Sequence, residues 1–261
     1  MFANFIYFII VLLIYSTYQP PEETTLTFTE TLGIFILLVV LFWLFTRYQF
    51  KKIEQKIHRQ HFSLLDHRFN AAVNRLSILA ILLFTVNIYG LSLPSFFNDM
   101  WLFSLIPTLQ ALLFLGFFIC YLAIVWSSAY RAYSQLYKAD LSRKDYVLSN
   151  IYFALPVIFP WLILSGVADI IFALPFELPR EILSTTEGEV AYFLVFLFIV
   201  AVFGPAMIQK FWQCKPLEHG TDRQRIEKIC KKADLQYADI LYWPIFGGRM
   251  ITAEIGRASC R

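Results

Sequence analysis

The chain has 261 residues, of which 58% are hydrophobic and 18% aromatic against 16% charged, with a mean hydropathy of +0.59. Soluble domains run about 45–50% apolar and about 25% charged. The balance here excludes a disordered chain, which needs the opposite bias, and argues against a single soluble globule, because 30.5 kDa cannot hide so much apolar surface. The net charge of +3 is small, so its placement along the chain matters more than its size.

A helix needs about 20 mostly apolar residues to cross the hydrocarbon core. Six stretches qualify: Phe2–Tyr18, Phe28–Thr46, Ser77–Leu93, Leu105–Ser127, Asn150–Pro175 and Val190–Ile208. They hold no Lys, Arg or His, and Asp169 and Glu30 are their only acids, Glu30 at the start of the second span. The first stretch has no positively charged start, and Tyr18-Gln19-Pro20-Pro21 stands where a signal peptide would carry a cleavage site. It reads as a retained membrane helix.

Lys and Arg give the orientation. The connection 47–76 carries Arg47, Lys51, Lys52, Lys56, Arg59, Arg68 and Arg75, and the connection 128–149 carries Arg131, Lys138, Arg143 and Lys144. With the segment after the sixth span, these hold all of the 22 basic residues except Arg180. The other connections are acidic, through Glu22, Glu23, Glu30, Asp99, Glu177, Glu181, Glu187 and Glu189. The expectation is a multi-pass protein of the cell (inner) membrane with both termini cytoplasmic. Its partner is the lipid bilayer, no nucleic-acid partner is expected, and the oligomeric state stays open. Cys120 sits in the fourth span and Cys214, Cys230 and Cys260 on the basic side, so no disulfide framework is implied.

The connection 47–76 is more than a loop. Phe50, Ile53, Ile57, Leu64, Leu65, Phe69, Ala72, Val73 and Leu76 recur mostly at helical spacing, with basic residues between them. Spans two and three are therefore expected to continue as amphipathic helices, either along the lipid surface or as a docking face. His58 and His61 share a helical face near His67, but with no Cys nearby a wet helix face is expected there and not a zinc site.

Asp169 is the one acid well inside a span, within Ser165-Gly166-Val167-Ala168-Asp169. Intramembrane carboxylates are costly and face protein or a water-filled cavity. With no base in any span, Asn87, Gln110 or water are its expected partners. The group either caps a helix pair or lines a chamber. Pro156 and Pro160 predict a kink in the same span.

After the last span the composition changes. Thr221-Asp222-Arg223-Gln224 fits a capping box opening a short helix to about Lys232. Leu235–Trp243 reads as a strand, Pro244-Ile245-Phe246-Gly247-Gly248 as a turn, and Arg249–Ala253 as a second strand. The expected organisation is a six-helix transmembrane region at 1–209, the start of a cytoplasmic α+β domain at 210–253, and a tail at 254–261. That tail, Glu254-Ile255-Gly256-Arg257-Ala258-Ser259-Cys260-Arg261, resembles the translation of a sequencing-adapter oligonucleotide and is left out of fold reasoning, with Ala253 expected as the last native residue.

The segment from Pro216 to Ala253 resembles a known family. Pro216-Leu217, Gly220, Arg223-x-Arg225-Ile226-Glu227, Ala233, Tyr237-Ala238-Asp239-Ile240-Leu241, Trp243 and Arg249-Met250-Ile251-Thr252-Ala253 look like the start of the catalytic domain of integral-membrane zinc metallopeptidases, the group of the CAAX prenyl protease and HtpX. The resemblance implies a zinc-dependent metalloendopeptidase acting on membrane or membrane-associated polypeptides. In that family two His and a distant Glu hold Zn²⁺, and the Glu of the H-E-x-x-H motif takes a proton from the metal-bound water. It also implies that the strand of Thr252 and Ala253 lies near the substrate cleft, where its backbone pairs with an extended peptide or forms an ordinary edge. Two departures stand out: this chain has no H-E-x-x-H, and Thr252-Ala253 replaces the Asn-Ala of many members. No catalytic or zinc-binding residue is therefore named in it, and by itself it is expected to be inactive. A transporter or channel, or a non-catalytic scaffold, are the alternatives; both leave residues 216–253 unexplained.

Overall fold

In the computed structural model the apolar runs are helices that pack around one central helix. The structure describes residues 3–21, 26–57, 62–98, 100–175, 177–237 and 239–242. In chain order these form α1 (Ala3–Ser16), α2 (Phe28–Glu54), α3 (Phe62–Thr85), α4 (Trp101–Leu105), α5 (Pro107–Tyr137), α6 (Arg143–Ala173), α7 (Glu177–Leu183), α8 (Thr186–Phe211), β1 (Lys215–Pro216), α9 (Thr221–Lys232) and β2 (Leu241–Tyr242). A π-helical turn, Val86–Gly90, prolongs α3, and a 3-10 turn, Leu93–Phe97, precedes α4.

Local sequence explains the helix ends. α2 opens on a capping box in which Thr27 N–H donates to Glu30 Oε2 (2.9 Å) and Glu30 N–H to Thr27 Oγ1 (3.4 Å). Glu30, the acid at the edge of its apolar run, is thus part of a cap. The 27 residues of α2 extend roughly 40 Å, more than the hydrocarbon core of about 30 Å, so its last turns carry Arg47, Lys51 and Lys52 into a polar zone. α3 begins at Phe62, far ahead of the apolar run at Ser77. The amphipathic extensions of these two helices are present, with Phe50, Leu65 and Phe69 buried beneath them.

Half of the apolar stretch of α5 is buried, against 11% for α2 and 6% for α8. Phe114, Phe118, Tyr121, Val125 and Ala129 recur every three or four residues and are fully enclosed, with Trp126 beside them. α1, α2, α3 and α6 pack on α5, while α8 lies outside against α6. The outward side chains of α8, such as Leu194, Phe198 and Phe203, stay exposed. Such surface costs about 25 cal/mol per Å² in water and nothing comparable against acyl chains. This is the build of an α-helical membrane protein.

Among the described residues, α2, α3 with its π turn, α5 and α8 are long and apolar enough to cross a membrane. α6 is a fifth candidate, bent by 56° between its two halves, where Pro156 and Pro160 each remove a backbone donor. The first expected span is shorter than the sequence suggested. Its helix covers 14 residues, roughly 21 Å, because Thr17 and Tyr18 bond back to Leu13 and Tyr15 in a closing turn ahead of Pro20 and Pro21.

The helices alternate in direction, so their ends form two groups. At one end Tyr89 Oη donates to the Ile14 carbonyl (3.2 Å), Phe28 meets Phe96 at 5.6 Å, and the start of α5 meets the end of α6. At the other, Gln135 donates to Glu54 (3.2 Å), Tyr137 to Asp66, and Phe153 stacks on Trp212 at 5.2 Å. The second end carries the basic stretches. Arg180, the base that breaks this pattern, donates to the carbonyls of Phe172 (2.8 Å) and Leu174 (3.0 Å), closing the C-terminus of α6.

The segment after α8 differs from its sequence reading in two ways. α9 starts at Thr221, but its N-cap is Gly220 and no side chain caps it, so the expected capping box is not made. The extended Gly220 backbone lets the helix begin one residue early, and Gln224 N–H reaches the Gly220 carbonyl (3.0 Å). Among the described residues, the strand expected over Leu235–Trp243 is confined to β2, which pairs antiparallel with β1 (Lys215 opposite Tyr242, Pro216 opposite Leu241). Ahead of β2 the Asp239 carboxylate accepts the Ile240 N–H (2.7 Å), a local bond that competes with a ladder. Trp243, the turn, the second strand with Thr252 and Ala253, and the tail lie outside the described residues.

Candidate functional site

Asp169, Asn87 and Gln110 do not converge. Asp169 Oδ2 accepts the Thr108 backbone N–H at 2.6 Å. α5 starts at Pro107 with no capping side chain of its own, so an acid of α6 closes its N-terminus, where partial positive charge collects. Gln110, buried, donates to the Pro94 carbonyl (2.9 Å) and to Asn98 (3.0 Å), tying α5 to the 3-10 turn. Asn87 lies in the π-helical turn of α3 and donates to Tyr121 Oη (2.9 Å), while its Oδ1 is buried with no hydrogen-bond partner. The side-chain partners expected for Asp169, namely Asn87 and Gln110, are therefore replaced by a backbone amide. Of the two sequence-level readings of this acid, the helix cap is the one the geometry fits.

The residues after α8 form one connected unit around Arg223. Its guanidinium donates to the Leu217 carbonyl (2.6 Å), Glu227 (2.9 Å) and Asp239 (2.7 Å). One side chain thus clamps the chain after β1, the body of α9 and the approach to β2. Asp239, and next Glu227, hold the Arg223 pKa above its usual value. In turn Arg223, and next the Ile240 N–H, hold the Asp239 carboxyl below the usual carboxylate range. α9 closes through Asp234, whose left-handed backbone (φ 52°) allows Leu235 N–H to reach the Cys230 carbonyl (2.9 Å). Burial pushes the Cys214 thiol up and leaves it less reactive.

Among the described residues no group of three His, Cys, Asp or Glu side chains could hold a metal ion. His58 and His61 lie outside them. His67 lines a cleft between α2 and α3 with Arg68, Arg75 and Gln49. The described residues do not assemble a zinc site. Compared with protein-family models, curated proteins and solved structures, the chain matches none.

Two groupings were not singled out by the sequence reading. The first is the Asn87–Tyr121 pair. The second is a cleft of about 610 Å³ between α2 and α5 at the basic end, lined by Arg47, Lys51, Arg131 and Arg143. Its signal is present as two stripes at four-residue spacing, Trp43, Arg47 and Lys51 on α2 and Ser127, Arg131 and Gln135 on α5. What the sequence does not state is that α2 and α5 are neighbours.

Proposed function

We propose that this chain is the membrane-anchoring part of a zinc metalloendopeptidase that cleaves membrane or membrane-associated polypeptides. The observation that carries the reading is the Arg223 clamp. Leu217, Arg223, Glu227 and Asp239 belong to the stretch that resembles the front of the peptidase domain, and one guanidinium binds all of them together within a few residues of the last span. A stretch with that role has to dock a folded domain at a fixed distance from the bilayer, and a bonded unit of this kind suits that task. In the family the zinc and its ligands follow this stretch, and the metal supplies the activated water.

The reading includes six crossings, with α1 and the bent α6 counted, and puts both termini on the cytoplasmic side of the inner membrane. It is supported by the alternating helix directions and by the gathering of Lys and Arg at one end.

The test is the reading frame downstream, expressed as a full protein. An H-E-x-x-H helix and stoichiometric bound zinc are expected, with proteolysis of a membrane-associated test substrate lost on chelation. A downstream frame without that helix overturns the peptidase. A cysteine reporter replacing Glu187 is expected to react with an impermeant maleimide from outside the cell, and one replacing Lys228 only after permeabilisation; the reverse pattern overturns the orientation.

A further inference from the structure

We propose that the cleft between α2 and α5 binds the phosphate of an anionic glycerophospholipid. It has the volume of a small-molecule site, about 610 Å³, and four cations line it: Arg47 and Lys51 on α2, Arg131 on α5 and Arg143 at the start of α6. The single carboxylate of the lining, Glu54, accepts a hydrogen bond from the neutral Gln135 amide, so four cations face one anion. Among the described residues no Asp or Glu lies within ion-pair distance of any of the four cations.

That excess of positive charge favours a further anion. Arg47 and Lys51 are one helical turn apart, and like charges at that spacing destabilise a helix. Arg131 and Arg143 add to the same local field. Their guanidinium groups are also placed: Arg47 lies 5.6 Å from the Trp43 ring centre and Arg143 5.8 Å from that of Tyr130. Planar guanidinium groups held this way suit the oxygens of a phosphate.

The depth of the cleft selects a lipid. Trp43 and Ser127 lie within the apolar stretches of α2 and α5, whereas Arg47 is the first charge beyond the apolar stretch of α2. The cleft therefore straddles the border between hydrocarbon and headgroups, and the ring of Trp43 suits that border. On the same side of α2, Ile36, Val40 and Leu44 are exposed along the helix, a path for acyl chains.

The proposal is tested on the full chain in nanodiscs of phosphatidylcholine containing a minority of phosphatidylglycerol, with retained lipid counted by native mass spectrometry after extraction. One phosphatidylglycerol per chain is expected to stay bound. The double variant Arg47→Gln/Arg131→Gln is expected to lose it by about tenfold or more, given the usual contribution of a cation near a headgroup. Lys52→Gln/Arg75→Gln removes the same charge at the same end without touching the cleft and is expected to retain the lipid. Arg47→Gln and Arg143→Gln, made singly, carry the same test if the double variant does not fold. Equal losses in the cleft and control variants would mean diffuse attraction and overturn the site, as would no loss in either. Displacement of the lipid by inorganic phosphate or by an acidic peptide at matching concentration would assign the cleft to a soluble anion and overturn the lipid.

Discussion

The carboxylate of Asp169 on α6 accepts the backbone N–H of Thr108 on α5 at 2.6 Å. A charge that would be costly in an apolar span thereby finds a fixed donor and the positive end of a helix. Asp169→Leu is expected to destabilise the protein by about 1–2 kcal/mol, the range for a lost N-cap, and Asp169→Asn by less, since its amide oxygen still accepts. Thermal unfolding in detergent measures both. Equal stability of all three proteins would mean that the acid does not cap α5.

Asn87 and Tyr121 give a test of polar pairing inside the bundle. Tyr121→Phe leaves the Asn87 side chain wholly without a partner, since its Oδ1 already has none, and is expected to cost about 1–3 kcal/mol. The double variant Asn87→Leu/Tyr121→Phe removes both halves and is expected to recover most of that loss. A double-mutant cycle read by chemical denaturation distinguishes this from simple additivity.

Gly188, in the first turn of α8, lies against the carbonyl of Ile182: a Cβ there would stand 1.7 Å from that oxygen. Gly188→Ala must push α7 from α8 and is expected to cost about 1–3 kcal/mol, as overpacking does. Gly116 has nothing within 4 Å of its Cβ position. Gly116→Ala on α5 is therefore expected to be neutral, or to stabilise by about 0.5–1 kcal/mol through helix propensity. The pair is compared by melting temperature under identical detergent conditions.

The Arg223 clamp predicts a pH dependence with a definite sign. Because Arg223 depresses the folded-state Asp239 pKa, the contribution of this carboxylate is complete above the range of a free aspartate and is lost as the pH falls through the lowered value. Amide exchange over residues 215–242 is expected to be slow at neutral pH and to quicken only under strong acid, after correction for intrinsic rates. Arg223→Lys keeps the charge but cannot fork to three acceptors, and is expected to quicken exchange already at pH 7. Unchanged exchange in that variant would deny the clamp its role.

Much of this architecture is legible in the sequence because lipid imposes a simple rule on side chains. The apolar runs locate α2, α5 and α8, the proline pair locates the bend in α6, and the spacing of Phe50, Leu65 and Phe69 announces the helical extensions. The failures share a different cause. Polar side chains and water are the partners that the sequence offers Asp169, whereas the donor found is the Thr108 N–H in the first turn of α5. Thr221 has the residue type of a cap, but Gly220 took the position. The long strand after Leu235 shrank because Asp239 has a nearer bond to make than any ladder offers. The cleft cations were visible individually as a topology signal, but that two stripes face each other depends on which helices are neighbours.

The rings of Phe153 and Trp212 lie nearly parallel, 10° apart, joining the lower arm of the bent α6 to the first residue beyond α8. The chain that leaves α8 is thus held to the bundle by a ring face as well as by its own backbone, on the half of α6 that precedes the bend.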